Sequence, residues 1–209
     1  DLQAVRAAVL MVQLYFYILL VGRRNPERSQ AISAALDRLA QLARQHGSTE
    51  MLRTVEALRV HLALQQGDKT TARAWAQDRP MPPVMVGKPI ESLIWARCKL
   101  AEGDPAALEQ AQAGLQKLAA ICNQHHDAAF HLEATALLAL SVNAQGSEAQ
   151  SLALLRPAIQ LAAAQRAPLA FWGYGPAMTG LLLRLAHESA QQDAARALLT
   201  LLDAADDNA

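Results

Sequence analysis

"ALRVHLALQQGDKTTARAWA", residues 57–76, decides the fold. An apolar stretch holding Leu58, Leu62 and Leu64 runs into the polar pair Gly67 and Asp68, and an Ala-rich stretch ending at Trp75 and Ala76 follows. Gly permits the left-handed backbone that ends one helix, and Asp directly after it caps the next. The segment therefore predicts two helices joined by a tight turn.

The same order recurs along the chain. It appears in "YFYILLVGRRNPERSQAISAALDRLAQLA" (15–43), "WARCKLAEGDPAALEQAQAGLQKLAAI" (95–121) and "ATALLALSVNAQGSEAQSLALLRPAIQLAA" (134–163). A final copy without the turn glycine is "MTGLLLRLAHESAQQDAARALLTLLDA" (178–204). The turn glycines Gly22, Gly67, Gly103 and Gly146 recur at irregular intervals of roughly 40 residues, the scale of helical repeat arrays. A lone helical hairpin cannot bury its apolar face, so such units stack around a shared core. The prediction is an all-α superhelix of about five helical hairpins, with residues 1–209 forming a single domain.

Composition agrees with this reading. The chain has 209 residues, 52% hydrophobic and only 4% aromatic, and its apolar content is Ala and Leu, the strong helix formers. Formal net charge is zero, which removes any bulk attraction to nucleic acid. Cys98 and Cys122 both fall inside helical patterns and are too few for a disulfide framework, so a reducing, cytoplasmic setting is expected. The run from Ala7 to Val21 is shorter than the ~20 apolar residues a spanning helix needs, and it contains Gln13. A buried first helix is expected, with no membrane contact. Because its apolar excess is large, that helix is also a place for a neighbouring domain or a second copy, making a homo-oligomer through the first helix an open expectation. The chain starts at Asp1 rather than Met and is expected to be excised from a longer protein.

Punctuation fixes the remaining boundaries. "QDRPMPPVMVGKP" (77–89) carries Pro80, Pro82, Pro83, Gly87 and Pro89 and predicts an extended connection. Pro157 falls inside a helical pattern and predicts a kink. "FWGYGPAM" (171–178) reads as a joint, with Pro176 opening the last hairpin and Met178, Leu181 and Leu182 beginning its apolar face.

Three of these segments in order, 57–76, 95–108 and 171–185, carry a resemblance. The matching positions are Gly67, Asp68, Trp75 and Ala76, then Ala96, Arg97 and Gly103, then Phe171, Gly175, Pro176, Met178, Leu181 and Leu182. The chain resembles the C-terminal tetratricopeptide-like (MalT-type) region of LuxR-family ATP-dependent transcriptional activators. The resemblance implies a sensor or regulatory portion whose partner is a small-molecule effector or a regulatory protein. It implies no direct nucleic acid contact and no cofactor in this fragment, because the G-x-x-x-x-G-K-[S/T] phosphate loop is absent from the sequence. Gly173 and Tyr174 stand where the family usually has an acidic pair. A free-standing tetratricopeptide scaffold that binds a peptide or partner protein is the alternative reading.

Chemistry candidates are few. "CNQHHDAAFH" (122–131) gathers Cys122, His125, His126, Asp127 and His131, but a hairpin turn is expected there, which scatters the side chains. No metal site, no catalytic residue and no enzymatic activity are expected. A binding groove is the better candidate. By resemblance to the repeat motif, positions six residues before the turn glycine look into the groove: Phe16, His61, Arg97 and Leu140. Arg97 lies on the wheel arc of Ile90, Leu93 and Ile94, where a charge is costly unless it is paired or faces a groove. Glu133 and Asn143 add polar positions on the fourth hairpin. Trp172 and Tyr174 either plug the helices or face the groove. The candidate effector or partner groove is thus His61, Arg97, Glu133, Asn143, Trp172 and Tyr174.

Overall fold

The computed structural model of the chain describes residues 2–21, 26–77, 79–82, 89–165, 167–171, 173–188 and 192–207. Among these residues there are ten α-helices and no strand. They are α1 (Leu2–Val21), α2 (Pro26–Gln45), α3 (Thr49–Gln65), α4 (Lys69–Ala76), α5 (Ile90–Glu102), α6 (Pro105–Gln124), α7 (Ala128–Ala144), α8 (Glu148–Gln165), α9 (Pro176–His187) and α10 (Gln192–Asp207). A short 3-10 turn, Pro168–Phe171, precedes α9. The fold is all-α, as the Ala and Leu content requires.

The chain divides into two compact units, one of Asp1–Pro82 with Ile90–Glu102, the other of Pro83–Pro89 with Gly103–Ala209. The division falls within the third hairpin of the sequence, so α5 belongs to the first unit and α6 to the second.

In the first unit α3 packs on α1, α2, α4 and α5, and α4 packs on α5. Tyr15, Ile18, Ile32, Leu36, Leu58, Leu93 and Ile94 meet there, all fully buried. Each such side chain contributes about 1.5–3 kcal/mol relative to exposure. The apolar run of α1 turns Ala7, Leu14, Tyr15, Ile18 and Leu19 inward, and among the described residues no helix is long and apolar enough to cross a membrane. The chain leaving α4 is pinned by the Trp95 indole, whose Nε1 donates to the Arg79 carbonyl at 3.0 Å. Arg79 lies 4.9 Å from the Trp75 ring centre and pairs with Glu56 at 3.0 Å. The described residues of the predicted connection, 79–82 and 89, are non-helical; Pro83 and Gly87 lie outside the described residues.

In the second unit α7 packs on α6 and α8, and everything from Leu132 to Val142 is buried. A helix apolar on every side has to be interior. Hydroxyls in that interior satisfy themselves on backbone: Ser151 Oγ donates to the Ala139 carbonyl at 2.8 Å, linking α8 to α7. α9 and α8 both pack on α10, and the 3-10 turn packs on α7. Pro157 sits inside α8.

The turns repeat one design. After α3, the Gly67 amide donates to the Leu64 carbonyl at 3.1 Å and the Asp68 amide to the Ala63 carbonyl at 2.9 Å, closing the helix end around a Gly at φ +88°. Asp68 then accepts the Thr71 amide at 3.0 Å and caps α4. Asp104 does the same for α6, accepting the Ala107 amide at 2.9 Å. His126 takes the left-handed place between α6 and α7, at φ +57°, which is why the His-rich stretch is a turn. Gly22, the first turn glycine of the sequence, lies outside the described residues. In the joint before α9, Gly175 adopts φ +68° with ψ −159°, a region essentially restricted to glycine. Pro176 then occupies the first turn of α9.

Candidate functional site

A buried polar cluster forms in the first unit where α1, α3 and α5 meet. α3 places His61 and Gln65 one turn apart on the same face, at the spacing that stacks side chains along a helix. α1 places Tyr15 against them, its ring stacked on the imidazole with centroids 5.0 Å apart and planes at 24°. α5 supplies Arg97, whose Nε donates to the Tyr15 hydroxyl at 3.3 Å with the guanidinium 6.0 Å from the ring centre. His61 is fully buried, and Arg97 and Gln65 are 5% and 6% exposed.

The hydrogen-bonding of the cluster is incomplete. His61 Nδ1, His61 Nε2 and Gln65 Oε1 are buried and have no hydrogen-bond partner among the described residues. Burial, and secondarily the positive charge of Arg97, hold the His61 pKa well below its ordinary 6.5. The imidazole is therefore neutral near pH 7, with one N–H to donate and one nitrogen to accept, beside an amide oxygen that accepts. The arrangement has room in its chemistry for a group that both donates and accepts.

The other residues singled out from the sequence are spread differently. Glu133 is fully buried in α7. Asn143 is half-buried in the last turn of α7, its carbonyl accepting the Gly146 amide at 2.9 Å. Tyr174 is half-buried in the joint before α9. Trp172 lies outside the described residues. Phe16 is half-buried on α1, with its ring edge-on to Tyr15 at 5.4 Å, and Leu140 is buried in α7. Arg97, for which the sequence left a groove and an internal bond open, makes the internal bond to Tyr15.

Two members of the cluster were not singled out in the sequence. Tyr15 is hidden inside the apolar run of α1, and nothing local distinguishes it from its neighbours. Gln65 left a weak signal, a polar residue four positions after His61 on an apolar helix face.

Among the described residues no group of three His, Cys, Asp or Glu side chains is placed to hold a metal ion. His131 Nδ1 lies 2.9 Å from the Ala119 carbonyl, bracing α7 on α6. Burial, reinforced by Glu102, pushes the Cys98 thiol up to about 12, and burial, reinforced by Asp127, pushes Cys122 up to about 11. Thiols in that state are poor nucleophiles. Lys99, 4% exposed, pairs with Glu102 at 3.2 Å and lies 5.9 Å from the Trp95 ring centre.

Among known families, the sequence model of the MalT-like TPR region fits residues 17–188. No curated protein and no solved structure matches the chain.

Proposed function

The chain belongs to the family of MalT-like TPR regions, and from that premise we propose that it is the sensor portion of a LuxR-type ATP-dependent transcription activator. In this reading it binds a small polar effector and has no catalytic role or cofactor of its own. ATP binding and DNA binding reside in other parts of the activator, and the setting is the cytoplasm.

The observation that supports an effector site here is the set of three buried polar atoms, on His61 and Gln65, that lack partners. Each costs about 1–3 kcal/mol when left unsatisfied. A ligand that donates to Gln65 Oε1 and to one imidazole nitrogen, and accepts from the other, recovers that cost on binding. The three atoms all lie on α3, but Tyr15 of α1 and Arg97 of α5 pack around them, so in this reading a ligand seated on His61 and Gln65 also touches both neighbouring helices and favours one arrangement of them. A ligand shifts an equilibrium only by its differential affinity for the two states, and this site supplies such a difference. The switch from resting to active protein then follows from occupancy.

The test is calorimetric titration of small polar metabolites into the wild type and the His61→Leu and Gln65→Leu variants. The reading expects a metabolite that binds the wild type and loses at least about tenfold in affinity, roughly 1.4 kcal/mol, in each variant. Binding that both variants retain at full strength overturns the assignment of the site.

A further inference from the structure

Residues 79–82 read Arg-Pro-Met-Pro and are followed by Pro83. Proline fixes its own φ at about −65° and pushes the residue before it toward extended backbone. Each of the four residues is a proline or precedes one, which restricts the stretch to a polyproline helix of about three residues per turn. The four residues are not α-helical, and they are seated on α5. Carbonyls three residues apart lie on the same side of a polyproline helix. The two that α5 receives are those of Arg79 and Pro82: Trp95 Nε1 donates to the first at 3.0 Å, and Ser92 Oγ to the second at a longer 3.4 Å. Ser92 and Trp95 are themselves three positions apart, neighbours on one face of α5, so the donors match the period of the acceptors.

Side chains complete a receptor around this stretch. The Arg79 guanidinium lies 4.9 Å from the Trp75 ring centre and pairs with Glu56 at 3.0 Å, so an aromatic face on α4 and a carboxylate on α3 both read the cation ahead of the prolines. Trp75 Nε1 is buried and has no hydrogen-bond partner among the described residues, so the surface holds one donor more than residues 79–82 use. Aromatic surfaces that receive a preformed proline helix are a recurring mode of peptide recognition. We propose that α3, α4 and α5 form a binding site for an extended Arg-Pro-x-Pro segment of a partner protein, and that residues 79–82 fill it from within the chain until the partner displaces them. A partner segment that also places a carbonyl on Trp75 Nε1 gains a bond that the in-chain segment lacks. Because the in-chain segment is tethered, it competes at an effective concentration on the order of millimolar, which keeps incidental peptides out. The site uses none of the residues of the His61 cluster, and it does not depend on an effector binding there.

The probe is a fluorescein-labelled synthetic peptide that copies residues 77–83, "QDRPMPP", and the readout is fluorescence polarisation. Replacing Pro80→Gly together with Pro82→Gly loosens the in-chain segment, and the loosened protein is expected to bind the peptide at least about tenfold tighter than the wild type does. A peptide with glycine at the same two positions is expected not to bind. In the loosened protein, Trp95→Phe keeps a ring and loses the donor, while Glu56→Gln changes an exposed side chain and leaves the core alone. Each is expected to weaken the peptide by at least about tenfold. No binding to the loosened protein overturns the proposal, as does equal binding of the glycine peptide. Full-strength binding in Glu56→Gln, or in a Trp95→Phe protein that keeps its circular dichroism, overturns the assignment of the surface. Should Trp95→Phe unfold, Glu56→Gln and the glycine peptide decide the matter.

Discussion

Lowering the pH is expected to weaken the first unit through His61, and the His61→Leu variant is expected to remove that dependence. The imidazole is fully buried, and burial and Arg97 together hold its folded pKa below the ordinary 6.5. Between those two values the unfolded chain carries a proton on His61 that the folded chain refuses. Stability rises with pH wherever the unfolded state binds more protons, so it falls as pH drops through 6.5 toward the depressed folded value. Above 6.5 the imidazole is neutral in both states and contributes no slope. Within the window one group contributes at most about 1.4 kcal/mol per pH unit. Leucine at the position cannot titrate, and it also removes two buried nitrogens without partners, each costing about 1–3 kcal/mol, against the loss of a Tyr15 stack worth about 0.5–1.5 kcal/mol. His61→Leu is thus expected to be about 1 kcal/mol or more stabler than the wild type at pH 7.5 and to pull further ahead at pH 5.5. Urea unfolding of both proteins across that range, followed by circular dichroism, measures the difference. Parallel pH dependence of the two proteins, or a variant destabilised at pH 7.5, refutes the account of a neutral imidazole with unsatisfied nitrogens.

Other expectations are independent of the cluster. Asp104→Ala, which removes the carboxylate receiving the Ala107 amide, is expected to lower unfolding stability by about 0.5–2 kcal/mol. Leu115→Ala opens a cavity at a fully buried position of α6 and is expected to cost about 2–5 kcal/mol in the same assay. Cys98 and Cys122 are expected to resist an aromatic disulfide reagent at pH 8 in the native protein and to react at once in urea, because burial raises both thiol pKa values; fast reaction of the folded protein contradicts this. Arg156 and Glu188 bond through two nitrogens, at 2.7 and 2.8 Å, across an accessible surface. Glu188→Gln is expected to lower the melting temperature slightly at low salt and negligibly at high salt.

Much of the architecture is local and was legible for that reason. The capping roles of Asp68 and Asp104, the first-turn place of Pro176 and the joint at Gly175 each depend on a few consecutive residues. Backbone sterics and orphan amides at helix ends constrain those residues before any packing occurs. Spacing likewise marked the inward face of α9, where Met178, Leu181 and Leu182 are buried. The left-handed His126 could not be read in this way, because a non-glycine residue adopts φ +57° only when the helices on both sides require the turn.

The sequence by itself determined an all-α chain of capped helical hairpins, since helix propensity, turn chemistry and periodicity are properties of neighbouring residues. Tertiary structure decided the cluster. Residues 15, 61, 65 and 97 are remote in sequence, and only the packing of α1 and α5 on α3 brings the Tyr15 ring over His61 and the Arg97 guanidinium to its hydroxyl. Tertiary structure also decided which apolar side chains of α1 remain outside. Leu10 and Leu14 look alike in sequence, yet one is exposed and the other buried, because a helix has several faces and its neighbours determine which are covered.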